Sequence, residues 1–183
     1  MKKFLFSKLL AAFLILFGLN CGVSAQTSVF TKGDMVVNAG IGIGTYINDK
    51  GFSMTIPPIS ASFEYGIVSL FDGDGAIGVG GYAGYLLRSR NVAGEDKYNV
   101  GNFVIGPRGL FHYQFVDKLD TYAGLMIGYD VVSFSQKDVP LSGSGFSSAF
   151  FVGARYYLID NFAVWGELGY GISPLQLGIA YKF

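Results

Sequence analysis

One cysteine, one histidine and one tryptophan are all that 183 residues contain. The cysteine, Cys21, lies in the N-terminal stretch, so nothing beyond it can be stapled by a disulfide, and no His/Cys cluster exists to hold a metal ion. Charged side chains make up only 14%, against about 25% in an ordinary soluble domain. The basic ones are not clustered, which excludes the electrostatic footprint of a nucleic-acid partner. From residue 34 onward no helical periodicity lasts longer than a turn or two, so a helical bundle is excluded as well.

The N-terminal stretch has its own pattern. "MKKFLFSKLLAAFLILFGLNCGVSAQ" puts Lys2, Lys3 and Lys8 around a short apolar run that ends in Val23, Ser24 and Ala25. This is the pattern of a secretory leader, residues 1–25, cut before Gln26. The competing readings are a single membrane-spanning helix, for which the run is short, and a lipid anchor on Cys21, disfavoured by Asn20 before it. The 13 basic and 13 acidic side chains of the full chain become an acidic excess once the three leader lysines are removed. A short lead-in, 26–34, then precedes a single domain, 35–183.

What the domain has in abundance is glycine, 27 in the full chain, and aromatic residues, 16%. Both fall in alternating segments bounded by Gly, Pro, Asp and Asn: 35–46, 57–68, 75–87, 99–114, 120–134, 146–158, 161–171 and 174–183. In the second, Ile59, Ala61, Phe63, Tyr65 and Ile67 share one face and Ser60, Ser62, Glu64 and Gly66 the other. The eighth sets Leu175, Leu177, Ile179, Tyr181 and Phe183 against Gln176, Gly178, Ala180 and Lys182. A soluble sandwich would turn the bulky face inward and expose a charged one. Here the second face is mostly Gly, Ala and Ser, which suits the crowded interior of a narrow eight-stranded barrel. The bulky face then meets lipid, and closure satisfies every backbone group inside hydrocarbon. The expected fold is all-β, an eight-stranded antiparallel transmembrane up-and-down barrel.

The domain resembles the small eight-stranded outer-membrane β-barrel family of porin-like and opacity-type surface proteins. "GYAGYLL", "IGPRGLFHY" and "AGLMIGYD" are similar to its strand motifs, and the closing "QLGIAYKF" to its assembly signal, at Gln176, Gly178, Tyr181 and Phe183. The resemblance implies a bacterial outer-membrane location, contact with outer-membrane lipid and the barrel insertion machinery, and a monomer. It places the long links outside and the short turns on the periplasmic side. An unidentified ligand at external loops 47–56, 88–98 and 135–145 is the partner it leaves open. Tyr65, Phe71, Phe111, Tyr113, Tyr156, Phe162, Tyr181 and Phe183 would form a periplasmic aromatic belt, and Tyr85, Tyr129 and Tyr170 a thinner external one.

Six charges take the inward parity: Glu64, Arg108, Asp130, Arg155, Glu167 and Lys182, with His112 and Asn38 among them. Unpaired, they would be costly in a narrow lumen. The expected pairs are Glu64 with Arg108 and Arg155 with Glu167, which makes the network a structural plug. A narrow conduit lined by the same charges is the alternative, obstructed by Met126, Phe151 and Trp165; a lateral gap near strands three and four would instead admit apolar solutes. A lipid-modifying enzyme would need His112 beside a nucleophile, and no catalytic motif is present. No cofactor or metal site is expected, and the leading reading is a non-enzymatic barrel of structural or surface-interaction type.

Overall fold

A computed structural model describes residues 28–47, 52–90, 98–134 and 143–183. The expected leader, 1–25, and the tips of the three links expected to be external lie outside the described residues. Eight antiparallel strands close in chain order: β1 (Met35–Ile43), β2 (Ser53–Leu70), β3 (Gly75–Arg90), β4 (Tyr98–Val116), β5 (Leu119–Phe134), β6 (Gly145–Ile159), β7 (Phe162–Tyr170) and β8 (Leu175–Lys182). The last closes on the first, from Val36↔Lys182 to Ile43↔Leu175. The sequence places β1 to residue 46, but the strand stops earlier because Gly44, at φ +78°, turns the chain out of the ladder.

Burial follows the two-residue period. Glu64, His112, Asp120 and Arg155 are almost wholly inaccessible, whereas Leu125, Ile127 and Phe150 are at least 60% exposed. Such a continuous apolar outer wall is a lipid-facing surface. Its aromatic residues gather at both ends. Phe71 packs edge-on to Phe111 and Tyr113 near the strand ends adjoining the chain termini. At the opposite end Tyr170 lies against Tyr46 and stacks on Phe150, and Tyr98 lies beside Phe134. The aromatic residues at this end are thus more than the three tyrosines expected there, since Tyr46, Tyr98, Phe134 and Phe150 join them.

Strand lengths divide the wall into two parts. β2 to β6 hold between 15 and 19 residues, while β7, β8 and β1 hold 9, 8 and 9. At about 3.3 Å per residue and a tilt of roughly 40°, nine residues rise about 23 Å, the height of the apolar band of such barrels. The short strands thus just cross the membrane and the long ones stand above it.

Glycine makes the narrow bore feasible. Gly40 and Gly178 face each other across β1 and β8. Trp165 lies over them, with its Nε1 donating to Ile179 O at 2.9 Å. A Cβ on Gly40 would come within 2.5 Å of the indole, and one on Gly178 within 2.0 Å of Ala39 O.

Candidate functional site

β4 runs the height of the lumen and orders its contents. From the end that holds the chain termini upward its inward side chains are Gln114, His112, Leu110, Arg108, Val104 and Asn102, all buried.

At the floor the lead-in folds into the barrel. Val29 N donates to Gln114 Oε1 at 2.8 Å, and Lys182 Nζ donates to Val29 O at 3.1 Å. Gly33 and Asp34 exchange backbone hydrogen bonds with Gly66 on β2. These anchors set Phe30 into the bore, 3% exposed, with its ring 4.2 Å from that of His112. Nothing in the alternation of the sequence marks Phe30, because the lead-in belongs to no strand.

Directly above lies a closed ring of four charged groups. Arg155 bridges two carboxylates, donating to Asp120 Oδ2 at 3.0 Å and to Glu64 Oε2. His112 bridges the same two from the other side, Nδ1 with Asp120 Oδ1 at 2.8 Å and Nε2 with Glu64 Oε1. With a carboxylate at each nitrogen, the imidazole satisfies both only when it carries both protons. The ring is then two cations against two anions. Tyr122 covers it from above, its ring 4.7 Å from the Arg155 guanidinium carbon, and Phe30 from below. A second pair follows: Arg108 Nη2 donates to Glu167 Oε1 at 2.6 Å, and Tyr122 Oη donates to the same oxygen at 3.1 Å. Phe151 lies 4.2 Å from the Arg108 guanidinium carbon.

The expected partners are thus exchanged. Glu64 pairs with Arg155 rather than Arg108, and Glu167 with Arg108 rather than Arg155. Both observed pairs cross the lumen, from β2 to β6 and from β4 to β7. In so narrow a barrel the opposite wall is as close as the neighbouring strand. Gly80 separates Glu64 from Arg108 along the wall, and His112 draws Glu64 downward. Asp120 and Tyr122 complete the network and were missed by the sequence reading, although their inward parity on β5 could have found them.

The other two inward charges sit elsewhere. Lys182 is tied to the lead-in and lies over the Tyr157 ring at 5.2 Å. Asp130 is near the external rim, where Asn102 Nδ2 donates to Asp130 Oδ2 at 2.8 Å and Arg88 Nη2 to Asn102 Oδ1 at 2.9 Å. Of the four residues expected to form the assembly signal, two face the lumen: Gln176, whose Oε1 accepts from Ser60 at 2.7 Å and Tyr82 at 3.2 Å, and Gly178 beneath Trp165. Tyr181 and Phe183 face outward with rings 5.0 Å apart.

No lateral gap separates strands three and four, which pair without a break from Gly75↔Tyr113 to Arg90↔Tyr98. Pairing lapses elsewhere: β6 meets β7 only from Phe150↔Tyr170 downward, so Gly145–Ala149 bond to β5 alone among the described strands. Among the described residues no group of three or more His, Cys, Asp or Glu is arranged to hold a metal ion.

No family model matches the chain, and no curated protein matches it in sequence. Solved structures match it in shape. The attachment invasion locus protein of Yersinia pestis, in complex with the heparin analogue sucrose octasulfate, is 14% identical, with 84% of this chain covering 100% of that one at a TM-score of 0.50. The outer membrane protein W of E. coli is 18% identical over 84% of this chain and 99% of that one, TM-score 0.49. OprG of Pseudomonas aeruginosa is 13% identical over 84% and 97%, TM-score 0.48. The fold is that of the small eight-stranded outer-membrane barrels.

Proposed function

We propose that the chain is an integral outer-membrane barrel of structural or surface-interaction type, with a sealed lumen and no enzymatic activity. The observation that carries this reading is the stacked cross-section of the bore. Phe30, the four-membered charge ring, the Arg108–Glu167 pair and the Phe151–Met126 layer follow one another along β4 and its neighbours. An ion entering would have to break a buried pair, which costs roughly 3–5 kcal/mol per broken partnership. His112 supports the absence of catalysis, since both nitrogens are held by carboxylates and none is free to act as a base. Surface interaction then falls to the external loops 47–56, 88–98 and 135–145, whose tips lie outside the described residues. Outer-membrane lipid and the insertion machinery are the partners this reading implies.

The test is planar-bilayer recording of the refolded chain, with heat-modifiable gel mobility to certify the barrel. The expected result is no stable conductance. A steady conductance altered by substitution of Arg108 or Glu167 would establish the conduit instead. Bulky substitution at Gly80 or Gly128 cannot serve as the probe, because a Cβ there would meet Phe63 O at 1.9 Å or Ile105 O at 2.3 Å.

A further inference from the structure

We propose that His112 is a proton-operated latch on the floor of the bore. With both imidazole protons in place Phe30 is held against it. Loss of the Nε2 proton to water lets Val29 and Phe30 leave, pivoting where Gly33 and Asp34 bond to Gly66. The latch goes beyond the sealed-lumen reading and does not depend on it, because the Arg108–Glu167 pair and the layers above keep their places in either state.

The two imidazole nitrogens are held unequally. Nδ1 and Asp120 Oδ1 form an aligned hydrogen bond of 2.8 Å. Nε2 touches Glu64 Oε1, yet neither atom has a partner aligned for hydrogen bonding. The Nε2 proton is therefore the more easily given up, and the neutral imidazole that remains is the Nδ1–H tautomer, still donating to Asp120.

Charge transmits the change. Glu64 from β2, Asp120 and Tyr122 from β5 and Arg155 from β6 surround the imidazole, and β3 meets it with Gly78. Tyr157 of β6 and Lys182 of β8 lie on the floor side, and Arg108 on β4 pairs with Glu167 on β7 one layer above. Among these side-chain types imidazole alone has its unperturbed titration between about pH 5 and 8. With one proton gone, Arg155 faces two carboxylates alone, and an uncompensated negative charge is left where neither carboxylate side chain is more than 2% exposed. A charge so buried must be hydrated or re-paired.

Phe30 stands between that charge and the water at the floor. Its ring lies 4.2 Å from the imidazole and 5.7 Å from the Arg155 guanidinium carbon, and the residue is 3% exposed. The face of a phenyl ring attracts cations and repels anions, so deprotonation removes one of the two cations Phe30 rests on just as the site comes to need water. What still holds this stretch is Val29 N donating to Gln114 Oε1 and Lys182 Nζ donating to Val29 O, two bonds that water replaces once the ring lifts. Gly33 is the pivot: its φ is +98°, its N–H donates to Gly66 O at 2.8 Å, and Gly66 N donates to Asp34 O at 2.9 Å.

The single histidine of the chain makes the imidazole readable without ambiguity. The full chain, isotope-labelled and refolded in lipid nanodiscs, is followed by NMR through a pH series that records imidazole nitrogens and backbone amides together. The Val29 and Phe30 amides should move to random-coil positions with the same midpoint as the imidazole, the Gly33 amide should stay, and the neutral imidazole should be the Nδ1–H tautomer. Deuterium exchange at Val29 should speed by roughly tenfold beyond its intrinsic pH dependence, the weight of one desolvated cation–ring contact. Coupling is reciprocal, so Phe30→Leu should move the imidazole midpoint to lower pH. His112→Gln, which cannot titrate, should abolish the transition at Val29; should it fail the gel-mobility test, the Phe30→Leu shift decides alone. Separate midpoints, an imidazole midpoint unmoved by Phe30→Leu, or an imidazole that keeps both protons until the barrel unfolds would overturn the latch. A bilayer conductance that appears with the transition would instead overturn the sealed lumen.

Discussion

In the ring around His112 each charged group touches two of opposite sign, and an aromatic ring lies against it on either side. At the external rim Asp130 meets Arg88 through Asn102, and the wall beside it falls away at β7 and β8. The same device, a charge turned into a narrow bore, thus exists in two settings. Burial makes the lower group interdependent, because removing any member leaves each of its partners one contact short in a place water does not reach. In the upper group Arg88 and Asn102 are buried as well, and only Asp130 is half-buried, which makes it the replaceable member.

The largest effect expected from this contrast is at Glu64. Glu64→Ala leaves Arg155 and His112 facing Asp120 alone, two cations on one anion. Urea unfolding in vesicles should show a loss of roughly 3–5 kcal/mol, the cost of breaking a buried pair. Asp130→Ala should lose about 1 kcal/mol, the scale of one net hydrogen bond. Equal losses would mean that the two ends of the lumen are energetically alike.

Phe30 tests whether the floor belongs to the lower group or merely covers it. Phe30→Ala removes the ring against His112 and the partner below Arg155. The loss should be at most about 3 kcal/mol, the low end for a buried phenylalanine, because the backbone anchors at Gly66, Gln114 and Ser69 remain. A second readout sharpens it: trypsin should cleave after Lys32 in the variant and spare the folded wild type. If the wild type is cut as readily, the lead-in is only loosely seated.

Most of the wall was legible in the sequence because a strand that separates lipid from a narrow lumen must alternate at every residue. Phe63 and Glu64 could not exchange places without putting a carboxylate in hydrocarbon. The inward parity of Glu64, Arg108, Arg155 and Glu167 was readable for the same reason. Their partners were not, since pairing across a bore depends on strand tilt and stagger, which place Arg155 opposite Glu64 although 91 residues separate them. Phe30 was illegible because its place is set by hydrogen bonds to Gln114 and Gly66, not by periodicity. The low wall was half legible: Gly44 could have ended β1 early, but only the register shows β6 running on past β7.

The smallest effect on stability, and the most telling about assembly, is expected at the last residue. "QLGIAYKF" carries two kinds of residue that sequence alone does not separate. Gln176 and Gly178 have duties inside the finished barrel, so their substitution disturbs the fold whether or not any receptor reads them: a Cβ on Gly178 would strike Ala39 O. Phe183 has almost none. Its side chain is 71% exposed with one ring contact, to Tyr181, and its backbone N–H, which donates to Met35 O at 3.0 Å, survives substitution. Phe183→Ala should therefore shift the unfolding free energy of the refolded barrel by about 0.5 kcal/mol, the scale of a surface change. If the terminal ring is an address for the insertion machinery, the same variant should nonetheless appear in outer membranes at several-fold lower amount than the wild type, measured by heat-modifiable mobility of membrane fractions. Equal amounts would assign the closing motif to packing alone, since Gly178 and Gln176 already account for their own places in the lumen.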